Sequence, residues 1–472
     1  MRKFVRATVL AIAAMLLLIA LALPFWFGLE TEKTYAVVLD QMSRRSGLQF
    51  TGKNYQRGWL SSTAETVMRH PQAGFEIVAH HRISHGPLPL DRVMQGVWRL
   101  AQGHITSQIE LGAHGKDNAP ALPPLTATTT FHFNGAGSMH AEMPPFRKSG
   151  RQGQRLDWRG MSADLNFDRE WKKIRLEASL PTLTLATPGK PGELAVSGIA
   201  LHSDMREGTA GYFFGDAALK IGRLEFGGDA ERVSLQGLEV STSAQPAGEN
   251  VNLVIRHQFD EVRAGHERFG PGQLVMELRH LDAAALVKFR NEIDGLYRGH
   301  LPSPQAALML AGKAMELIGT LAAKAPELEI TRLSIKTGAG EINGHAKFVL
   351  DGRQADLARN PMLMLASLAG DVELALPAPL VKQLLAPQIR RDIEVYRESG
   401  ALSAAEMARL DPQKLAQIVE RAYPRYLSRH EFTRHLVEDN GRYKLVLTLR
   451  RGQMLVNGKP WQLPARPGIS FL

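Results

Sequence analysis

The segment Lys173–Leu185, with the sequence KIRLEASLPTLTL, decides the fold class of this chain. Apolar and polar residues alternate along it, which is typical of a half-buried β-strand. The same alternation, interrupted by Gly, Pro, Asn and Asp, occurs in five further segments: Phe75–Ile83, His104–Leu111, Ala127–Phe133, Leu219–Phe226 and Val251–Phe259. The chain is therefore predicted to consist mainly of strands joined by turns.

A weak internal repeat supports this prediction. Leu194–Leu201 (LAVSGIAL) matches Val233–Val240 (VSLQGLEV), and Gly198 and Gly237 take the same place in the two segments. Amphipathic strands also resemble one another by chance. The repeat therefore favours a long meander of strands and not a solenoid with a countable repeat.

Helical spacing of apolar residues is concentrated after Asp282, which is a suitable N-cap for the first of these helices. The predicted helices are Ala283–Tyr297, Pro304–Ala325, Leu380–Arg397, a short helix opened by the capping box at Ser403, and Pro412–Leu427. The chain is predicted to end in a hairpin of Tyr443–Leu449 and Met454–Val456, with an Asn457-Gly458 turn just beyond. These helices are expected to cover one face or end of the sheet.

The N-terminus carries a long apolar run, Val9–Leu23, and no acidic residue occurs before Glu30. Hydrocarbon about 30 Å thick is crossed by roughly 20 apolar residues in a helix, because lipid offers the backbone no hydrogen-bond partner. Phe4–Trp26 is therefore predicted to form one transmembrane helix. Four positions mark the predicted span: Val9, Leu16, Leu23 and Trp26.

The charges around this run predict its orientation. Arg2, Lys3 and Arg6 all precede it, so the positive-inside rule leaves Met1 in the cytoplasm and sends the chain after Glu30 across the membrane. A cleavable signal peptide is the alternative, because Ala20-Leu-Ala22 has small residues at the spacing that a signal peptidase requires. Both alternatives place the body outside the cytoplasm.

Beyond the predicted span, Thr31–Ser46 is expected to continue outward as a short helical stalk. Apolar residues lie at helical spacing along it: Tyr35, Val38, Leu39 and Met42. From Phe50 onward the alternating pattern of strands replaces the helical one.

Composition excludes several classes of protein. The 472 residues are 44% hydrophobic and 22% charged, which is typical of a folded chain. Cys is absent, which excludes thiol catalysis, disulfides and thiolate metal sites. The net charge of +10 is spread among acidic residues, so it favours anionic lipid headgroups or acidic envelope glycans over nucleic acid as a partner.

Three histidines, His80, His81 and His85, are the candidate metal ligands. On a strand His81 and His85 face the same side and His80 faces the other. The two on the same side lie about 13 Å apart at roughly 3.3 Å per residue, which is too far to share one ion. The sequence therefore predicts no metal site here, and no motif elsewhere predicts a catalytic residue or a cofactor.

Three segments carry a family resemblance: Asn54–Ser62 (NYQRGWLSS), His80–Leu90 (HHRISHGPLPL) and Gln453–Lys459 (QMLVNGK). In this order, behind an N-terminal anchor, they resemble the YdgA-like family of bacterial envelope proteins, also called the domain-of-unknown-function 945 family. The resemblance implies a protein of the Gram-negative inner membrane that faces the periplasm. It supplies no catalytic residues.

Eight residues carry this resemblance: Tyr55, Arg57, Gly58, His85, Gly86, Pro87, Asn457 and Gly458. Their types favour structural roles. Gly58 suits a tight turn between strands, and Gly86-Pro87 ends a strand because proline cannot donate to the ladder.

Together these observations predict a β-dominated α+β fold. A single N-terminal transmembrane helix is followed by an elongated, mostly antiparallel sheet, with helices concentrated in the C-terminal half. We expect four regions: a cytoplasmic N-terminus and transmembrane signal anchor (1–29), a membrane-proximal helix (30–48), a β-rich periplasmic region (49–281), and a mixed helix and strand periplasmic region that continues the same sheet and ends in a hairpin (282–472).

The predicted function is non-enzymatic: an inner-membrane-anchored periplasmic protein whose extended sheet binds lipid or another envelope protein. Self-association is compatible with the sequence, and nucleic-acid binding is not predicted. Leu219, Ile221 and Leu235 are expected on the apolar face, which either forms an open groove or closes into a dry core. A periplasmic hydrolase that acts on envelope glycan or lipid is the alternative, favoured only by compartment and charge.

Overall fold

The computed structural model describes residues 22–40, 42–43, 48–69, 76–94, 96–110, 122–150, 153–187, 192–227, 232–265, 267–298, 303–352, 363–398, 412–429 and 433–461. The chain groups into two compact units. The first unit comprises Met1–Gly228 and Ala283–Ala314, and the second comprises Asp229–Asp282 and Met315–Leu472.

The first unit is built on twelve described strands: β1 (Gln49–Arg57), β2 (Ser61–Arg69), β3 (Glu76–His85), β4 (Gly103–Glu110), β5 (Leu125–Phe131), β6 (Gly137–Met143), β7 (Phe146–Ser149), β8 (Arg155–Trp158), β9 (Met161–Phe167), β10 (Lys173–Ala186), β11 (Glu193–Glu207) and β12 (Phe213–Gly227). Neighbours pair antiparallel from β1 to β6 and from β9 to β12. This is the meander that the alternating segments predict.

A long, broken hairpin joins the two halves of this meander. β6 pairs with β9, β7 pairs with β8, and β10 pairs with both β8 and β9. The breaks fall at Pro144-Pro145, which cannot donate to a ladder, and at Gly160, whose φ is +95°. The hairpin therefore bends where its residues cannot continue a regular strand.

The second unit is built on eleven described strands: β13 (Val233–Ala247), β14 (Asn250–Phe259), β15 (Glu261–Ala264), β16 (Glu267–Asp282), β17 (Glu327–Thr337), β18 (Gly340–Leu350), β19 (Leu368–Pro377), β20 (Val437–Asp439), β21 (Arg442–Arg450), β22 (Gln453–Val456) and β23 (Lys459–Trp461). β13 pairs with β14 and β15, both of these pair with β16, and the order continues through β17, β18, β19 and β21. Every pair is antiparallel.

The C-terminal hairpin is confirmed and extended. β21 pairs with β22, and the Asn457-Gly458 turn leads into a third strand, β23, that pairs with β22. The two segments of the internal repeat lie in β11 and β13. Their shared glycines, Gly198 and Gly237, both have positive φ, which an L-residue rarely adopts.

The described helices are α1 (residues 22–40), α2 (Leu90–Met94), α3 (Ala283–Arg298), α4 (Ser303–Ala322), α5 (Leu363–Ser367), α6 (Ala378–Glu398) and α7 (Pro412–Arg429). The predicted concentration of helices after Asp282 is therefore confirmed, as is the β-dominated, antiparallel fold class. The predicted short helix at Ser403 lies outside the described residues. The four-region division of the chain stays a prediction.

A buried apolar cluster forms where α6 and α7 meet the end of β21. Its members are Val381, Leu385, Ile389, Val419, Leu436 and Tyr443. Full burial of one such aliphatic side chain contributes roughly 1.5–3 kcal/mol. The apolar stripes on these helices are therefore packing surfaces, as predicted from their spacing.

The N-terminal predictions have two outcomes. None of the described helices combines the length and the hydropathy of a membrane-spanning helix. Val9, Leu16 and most of the predicted span Phe4–Trp26 lie outside the described ranges, whereas Leu23 and Trp26 belong to the start of α1. The helix predicted at Thr31–Ser46 is confirmed over residues 31–40 and 42–43. Its interpretation as a stalk is wrong, because α1 packs along β1, β2 and β3.

Candidate functional site

Six of the eight motif residues meet at one end of the first unit, close to α1. Tyr55 and Arg57 lie in β1, Gly58 lies in the β1–β2 turn, and His85 ends β3 immediately before Gly86-Pro87. The antiparallel register brings them together, because Arg57 pairs with Ser62 and Ser61 pairs with Ser84. The sequence placed these residues in two separate segments, and the fold joins the segments.

Two of the glycines are required by close backbone approach. The Gly58 amide donates to the Ser61 carbonyl at 2.9 Å, and a Cβ on Gly58 would lie 2.5 Å from that oxygen. The Gly86 amide donates to Gln102, and a Cβ on Gly86 would lie 2.2 Å from the Ala101 oxygen. Any larger residue would force the backbone apart at these two positions.

α1 lies against the sheet because one of its faces combines apolar and very small residues. Phe27 and Leu39 are buried, and Gly28 rests directly on the imidazole of His85. A Cβ on Gly28 would lie 2.5 Å from His85 Cε1. On the sheet side, Gly52 accommodates the ring of Tyr35, which a Cβ there would approach to 2.8 Å. Glycine on both surfaces allows the helix to come this close.

Charged and aromatic contacts reinforce the docking of α1. Arg57 forms an ion pair of 2.6 Å with Glu32, and its guanidinium lies 5.5 Å from the centroid of the Phe25 ring. The rings of Tyr35 and Tyr55 have centroids 5.5 Å apart. The motif residues Tyr55 and Arg57 therefore both contact α1.

His85 and Ser62 form a buried hydrogen-bonded pair. His85 Nδ1 lies 3.1 Å from the Trp59 carbonyl oxygen, and Nε2 lies 2.8 Å from Ser62 Oγ. A carbonyl only accepts, so Nδ1 carries the proton and Nε2 accepts from the serine hydroxyl. Burial lowers the pKa of His85, and the bond to Trp59 opposes that shift. His85 is therefore a neutral imidazole with both nitrogens satisfied.

His81 belongs to a second polar network. This network lies beneath Tyr35 of α1, whereas His85 lies beneath Gly28. The Nδ1 of His81 lies 2.7 Å from Ser107 Oγ and its Nε2 lies 2.7 Å from Thr66 Oγ1. Thr66 Oγ1 is also 2.8 Å from the Tyr35 hydroxyl, which donates to the Glu65 carbonyl at 3.0 Å. For a neutral imidazole, one arrangement satisfies all four contacts: Ser107 donates to Nδ1, Nε2 donates to Thr66, Thr66 donates to Tyr35, and Tyr35 donates to Glu65.

This arrangement requires a neutral His81. Burial, with a smaller contribution from the neighbouring His80, lowers the pKa of His81 from 6.5 to about 4. His81 and His85 face the same side of β3, as the strand geometry predicts, and both lie beneath α1. His80 faces the other way, 3.7 Å from Glu110. Within the described part of the chain, no three His, Cys, Asp or Glu side chains are placed to hold one metal ion.

The Ser62–His85 pair contains the hydrogen bond that hydrolases use to activate a serine. Two features distinguish this pair from the serine and histidine of a hydrolase active site. The group that orients His85 is the Trp59 carbonyl, which does not stabilise an imidazolium as a carboxylate does. Ser62 and His85 are each only 1% exposed, so a substrate has no access to either. As placed, the pair holds α1 and β1–β3 together.

A different kind of surface occupies the second unit, where paired strands align apolar side chains. The residues of this surface, the second-unit apolar face, are half-buried: Leu253, Ile255, Leu274, Met276, Leu278, Ile330, Leu333, Phe348, Val372, Leu374 and Leu447. α6 and α7 pack on one end of it, at Leu376, Tyr443 and Leu445. The other side chains of the second-unit apolar face are half-buried, and Ala346, which lies between Ile330 and Val372, is buried.

The opposite face of these strands is charged and extensively paired. Arg279 contacts Glu277 at 2.6 Å and Glu329 at 2.7 Å, and Lys347 contacts Glu327 at 3.1 Å. These ion pairs are partly exposed to water, so each contributes little stability, but together they make this face compatible with water. The sheet is therefore strongly amphipathic.

The first unit has a smaller apolar surface on β10, β11 and β12. Leu180 pairs with Ile199, which pairs with Ile221, and Leu201 pairs with Leu219. None of these five side chains is buried, and Leu219 is exposed. Leu235, on β13 of the second unit, is half-buried.

The last two motif residues lie far from α1 in sequence and belong to the second unit. Asn457 and Gly458 both have positive φ, which a two-residue hairpin turn requires. Asn457 also ties this hairpin together, because its Oδ1 accepts from the Val446 amide at 2.8 Å and its Nδ2 donates to the His435 carbonyl. These contacts account for an Asn-Gly pair at this position.

Sequence reasoning missed Gly28 and Ser62 as members of the site. Gly28, Tyr35 and Leu39 lie on one helix face, and that spacing is a readable signal. Ser62 carries no such signal, because an isolated serine in a strand is common. Its role depends on the register that places it beside His85.

A family model described as "Bacterial protein of unknown function (DUF945)" matches residues 1–464 of the chain. No curated protein and no solved structure matches it.

Proposed function

The chain belongs to the DUF945 family of bacterial proteins, and from this premise we propose that it is a non-enzymatic, inner-membrane-anchored periplasmic protein whose apolar sheet faces hold lipid acyl chains. The second-unit apolar face is the principal binding surface. The corresponding surface on β10–β12 is a smaller one.

The observation that carries this proposal is the continuity of the second-unit apolar face. One of its rows crosses six strands through Ile255, Met276, Ile330, Val372 and Leu447, with Ala346 between Ile330 and Val372. Strands lie about 4.8 Å apart, so the row extends for about 24 Å. One leaflet of a bilayer is about 15 Å of hydrocarbon, so an acyl chain fits within the row.

The chemistry of the two sheet faces favours lipid over a polar ligand. Each methylene that is removed from water gains about 0.8 kcal/mol, and an alkyl chain needs no hydrogen-bonding partner. The charged face, with Arg279 and Lys347 in ion pairs, remains in water. An amphipathic sheet of this kind separates acyl chains from the solvent on one side only.

The predicted anchor supports the location of this activity. The apolar run Val9–Leu23 continues into the start of α1, and Arg2, Lys3 and Arg6 flank it on one side. A reporter that is active only in the periplasm, fused after Leu472, tests this topology directly. We expect activity, and an inactive but stably produced fusion would contradict the proposed orientation.

Photo-crosslinking of the full-length chain tests the acyl-chain proposal. A photoreactive residue is placed at Met276, Ile330 or Val372 on the apolar face, and the protein is irradiated in native membranes. Intact-mass measurement should then find adducts of phospholipid mass at these positions.

Matched controls lie on the same strands but on the charged face. Photoreactive residues at Glu277, Glu329 and Asp371 should give no lipid adducts, because these side chains lie on the opposite, charged face of the same strands. Equal lipid capture on both faces, or adducts with protein at the apolar positions, would refute lipid as the occupant. Adducts with a second copy of the chain would assign the face to self-association instead.

A further inference from the structure

One end of the first unit presents a group of large, exposed apolar side chains. This group, called here the aromatic rim, comprises Trp26, Trp59, Met94, Trp98, Leu100 and Phe133. Met94 is 88% exposed and Trp98 is 73% exposed. Single exposed apolar residues are normal, but several large ones at the same end of a unit indicate an interaction surface.

The register of the strands places these residues at the same end of the sheet. Residues 58–60 join β1 to β2, residues 86–102 join β3 to β4, and residues 132–136 join β5 to β6. Arg57 pairs with Ser62, His85 pairs with Gly103, and Phe131 pairs with Gly137. In an antiparallel meander these three connections leave the sheet at one end.

α1 begins at this end too. The Phe25 and Trp59 rings have centroids 4.9 Å apart, and those of Phe27 and Phe133 lie 5.9 Å apart. The helix then runs away from the rim, since Tyr35 reaches Thr66 and Leu39 reaches Gly52. The start of α1, which follows the apolar run in the sequence, therefore lies at the aromatic rim.

The charge of the rim segments complements an anionic surface. Residues 58–60, 86–102 and 132–136 contain two arginines, Arg92 and Arg99, and one acidic residue, Asp91. Trp and Arg are among the residues that proteins place at the boundary between headgroups and acyl chains. A rim of Trp and Met with flanking Arg has the composition of an interfacial anchor.

We propose that the aromatic rim inserts into the headgroup and acyl boundary of the leaflet from which α1 emerges, and holds the first unit against an anionic phospholipid surface. This inference rests on the anchoring part of the proposed function, since the preceding apolar run brings the rim to the bilayer. It does not depend on acyl-chain binding by the sheet faces.

Spin labelling of the full-length protein tests the inference. The chain contains no cysteine, so a Trp98→Cys or Met94→Cys variant carries one label at one position. The protein is reconstituted into vesicles of phosphatidylethanolamine and phosphatidylglycerol. We expect a severalfold higher ratio of oxygen to nickel-chelate accessibility at positions 94 and 98 than at a control position.

Phe226→Cys provides the matched control. Phe226 is an exposed aromatic residue near the end of β12, and β12 begins at the rim end, so it lies about 40 Å away along the strand. Its label should be freely accessible to the nickel chelate. Thermal melts that match those of the unsubstituted protein show that the three variants are folded, as expected for exposed positions.

The remaining outcomes are separable. Water-like accessibility at positions 94 and 98, in protein that floats with the vesicles, overturns the rim proposal and leaves the anchor intact. Low accessibility to both oxygen and the nickel chelate reports burial in protein, and it also overturns lipid as the occupant. Protein that fails to float with vesicles contradicts the anchor itself and, with it, this inference.

Discussion

The face of the sheet beneath α1 and the face formed by β10, β11 and β12 contrast sharply, although both belong to the first unit. Beneath α1 the covered positions include Ser62, Thr66, His81 and His85, and each of these makes side-chain hydrogen bonds. On β10–β12 the corresponding face is aliphatic, and its side chains remain partly exposed. The polar face is covered, and part of the apolar face is left accessible.

Covering the polar positions and leaving aliphatic ones accessible indicates that the buried network beneath α1 specifies where the helix docks. A buried polar group that loses its partner costs about 1–3 kcal/mol, so a network such as that of His81 and Thr66 penalises any other position of α1. An aliphatic face has no such preference. It suits a ligand whose chemistry is the same along its whole length.

The largest loss of stability is expected when Gly28 of α1 is replaced by a larger residue. In Gly28→Leu, the new side chain overlaps the His85 ring, and we expect a loss of about 3 kcal/mol in the free energy of unfolding. Denaturant titration of the full chain measures this loss. Ala36→Leu, an exposed position on the same helix, is the control and should change stability by less than about 0.5 kcal/mol. Equal effects would show that α1 is not docked on His85.

Acid should weaken the same region next most strongly. His81 has a pKa of 6.5 when unfolded and about 4 when folded, so the unfolded state binds the proton more readily. Stability is therefore full above pH 6.5 and is lost as the pH falls toward 4, by at most about 3 kcal/mol at 1.36 kcal/mol per pKa unit. His85, whose pKa is also lowered, changes stability in the same direction.

The control for this pH dependence separates buried from exposed histidines. His81→Gln should flatten the fall in stability over this range, measured as melting temperature against pH. His202→Gln should leave it unchanged, because His202 is exposed, 3.7 Å from Glu177. A profile that is the same in both variants would contradict a neutral, buried His81.

A double-mutant cycle tests one hydrogen bond of the region beneath α1, the bond between Ser62 and His85. Ser62→Ala and His85→Phe should each destabilise the protein, and their coupling energy should be about 1 kcal/mol because they remove the same hydrogen bond. A second cycle that combines Ser62→Ala with His202→Gln should be additive. Additivity in both cycles would mean that the Ser62–His85 bond does not form in solution.

The smallest effect on stability is expected on the apolar surface of β10, β11 and β12. Leu219→Asn replaces an exposed leucine and should change the free energy of unfolding by less than about 0.5 kcal/mol. Ile83→Ala, at a fully buried position in β3, should cost about 2–5 kcal/mol. A large loss in Leu219→Asn would show that the β10–β12 face is closed, and would remove it as a ligand surface.

Much of the fold could be predicted because its elements are strongly periodic. The alternating segment Lys173–Leu185 corresponds to β10, and the helix predicted at Ala283–Tyr297 corresponds to α3. The break at Pro144-Pro145 and the Asn457-Gly458 turn also follow from the local properties of these residues. Such features depend on residues within a few positions of one another, so a sequence displays them directly.

The site was only partly predictable. The resemblance singled out Tyr55, Arg57 and His85, and the strand geometry placed His81 and His85 on one side. The sequence did not indicate that α1 would lie on that side, because Thr31–Ser46 fits a free helix as well as a docked one. The aromatic rim was equally hidden, since Trp59, Trp98 and Phe133 lie in three separate connections.

By itself, the sequence determined a β-dominated antiparallel fold with later helices, because the alternation of side chains along one strand requires no knowledge of its neighbours. It also determined the absence of cysteine chemistry. Only the tertiary structure decided that α1 covers the polar face, that Ser62 meets His85 across 23 positions, and that the rim residues share one end of the sheet. These are contacts between distant residues, and their geometry exists only once the register of every intervening strand is set.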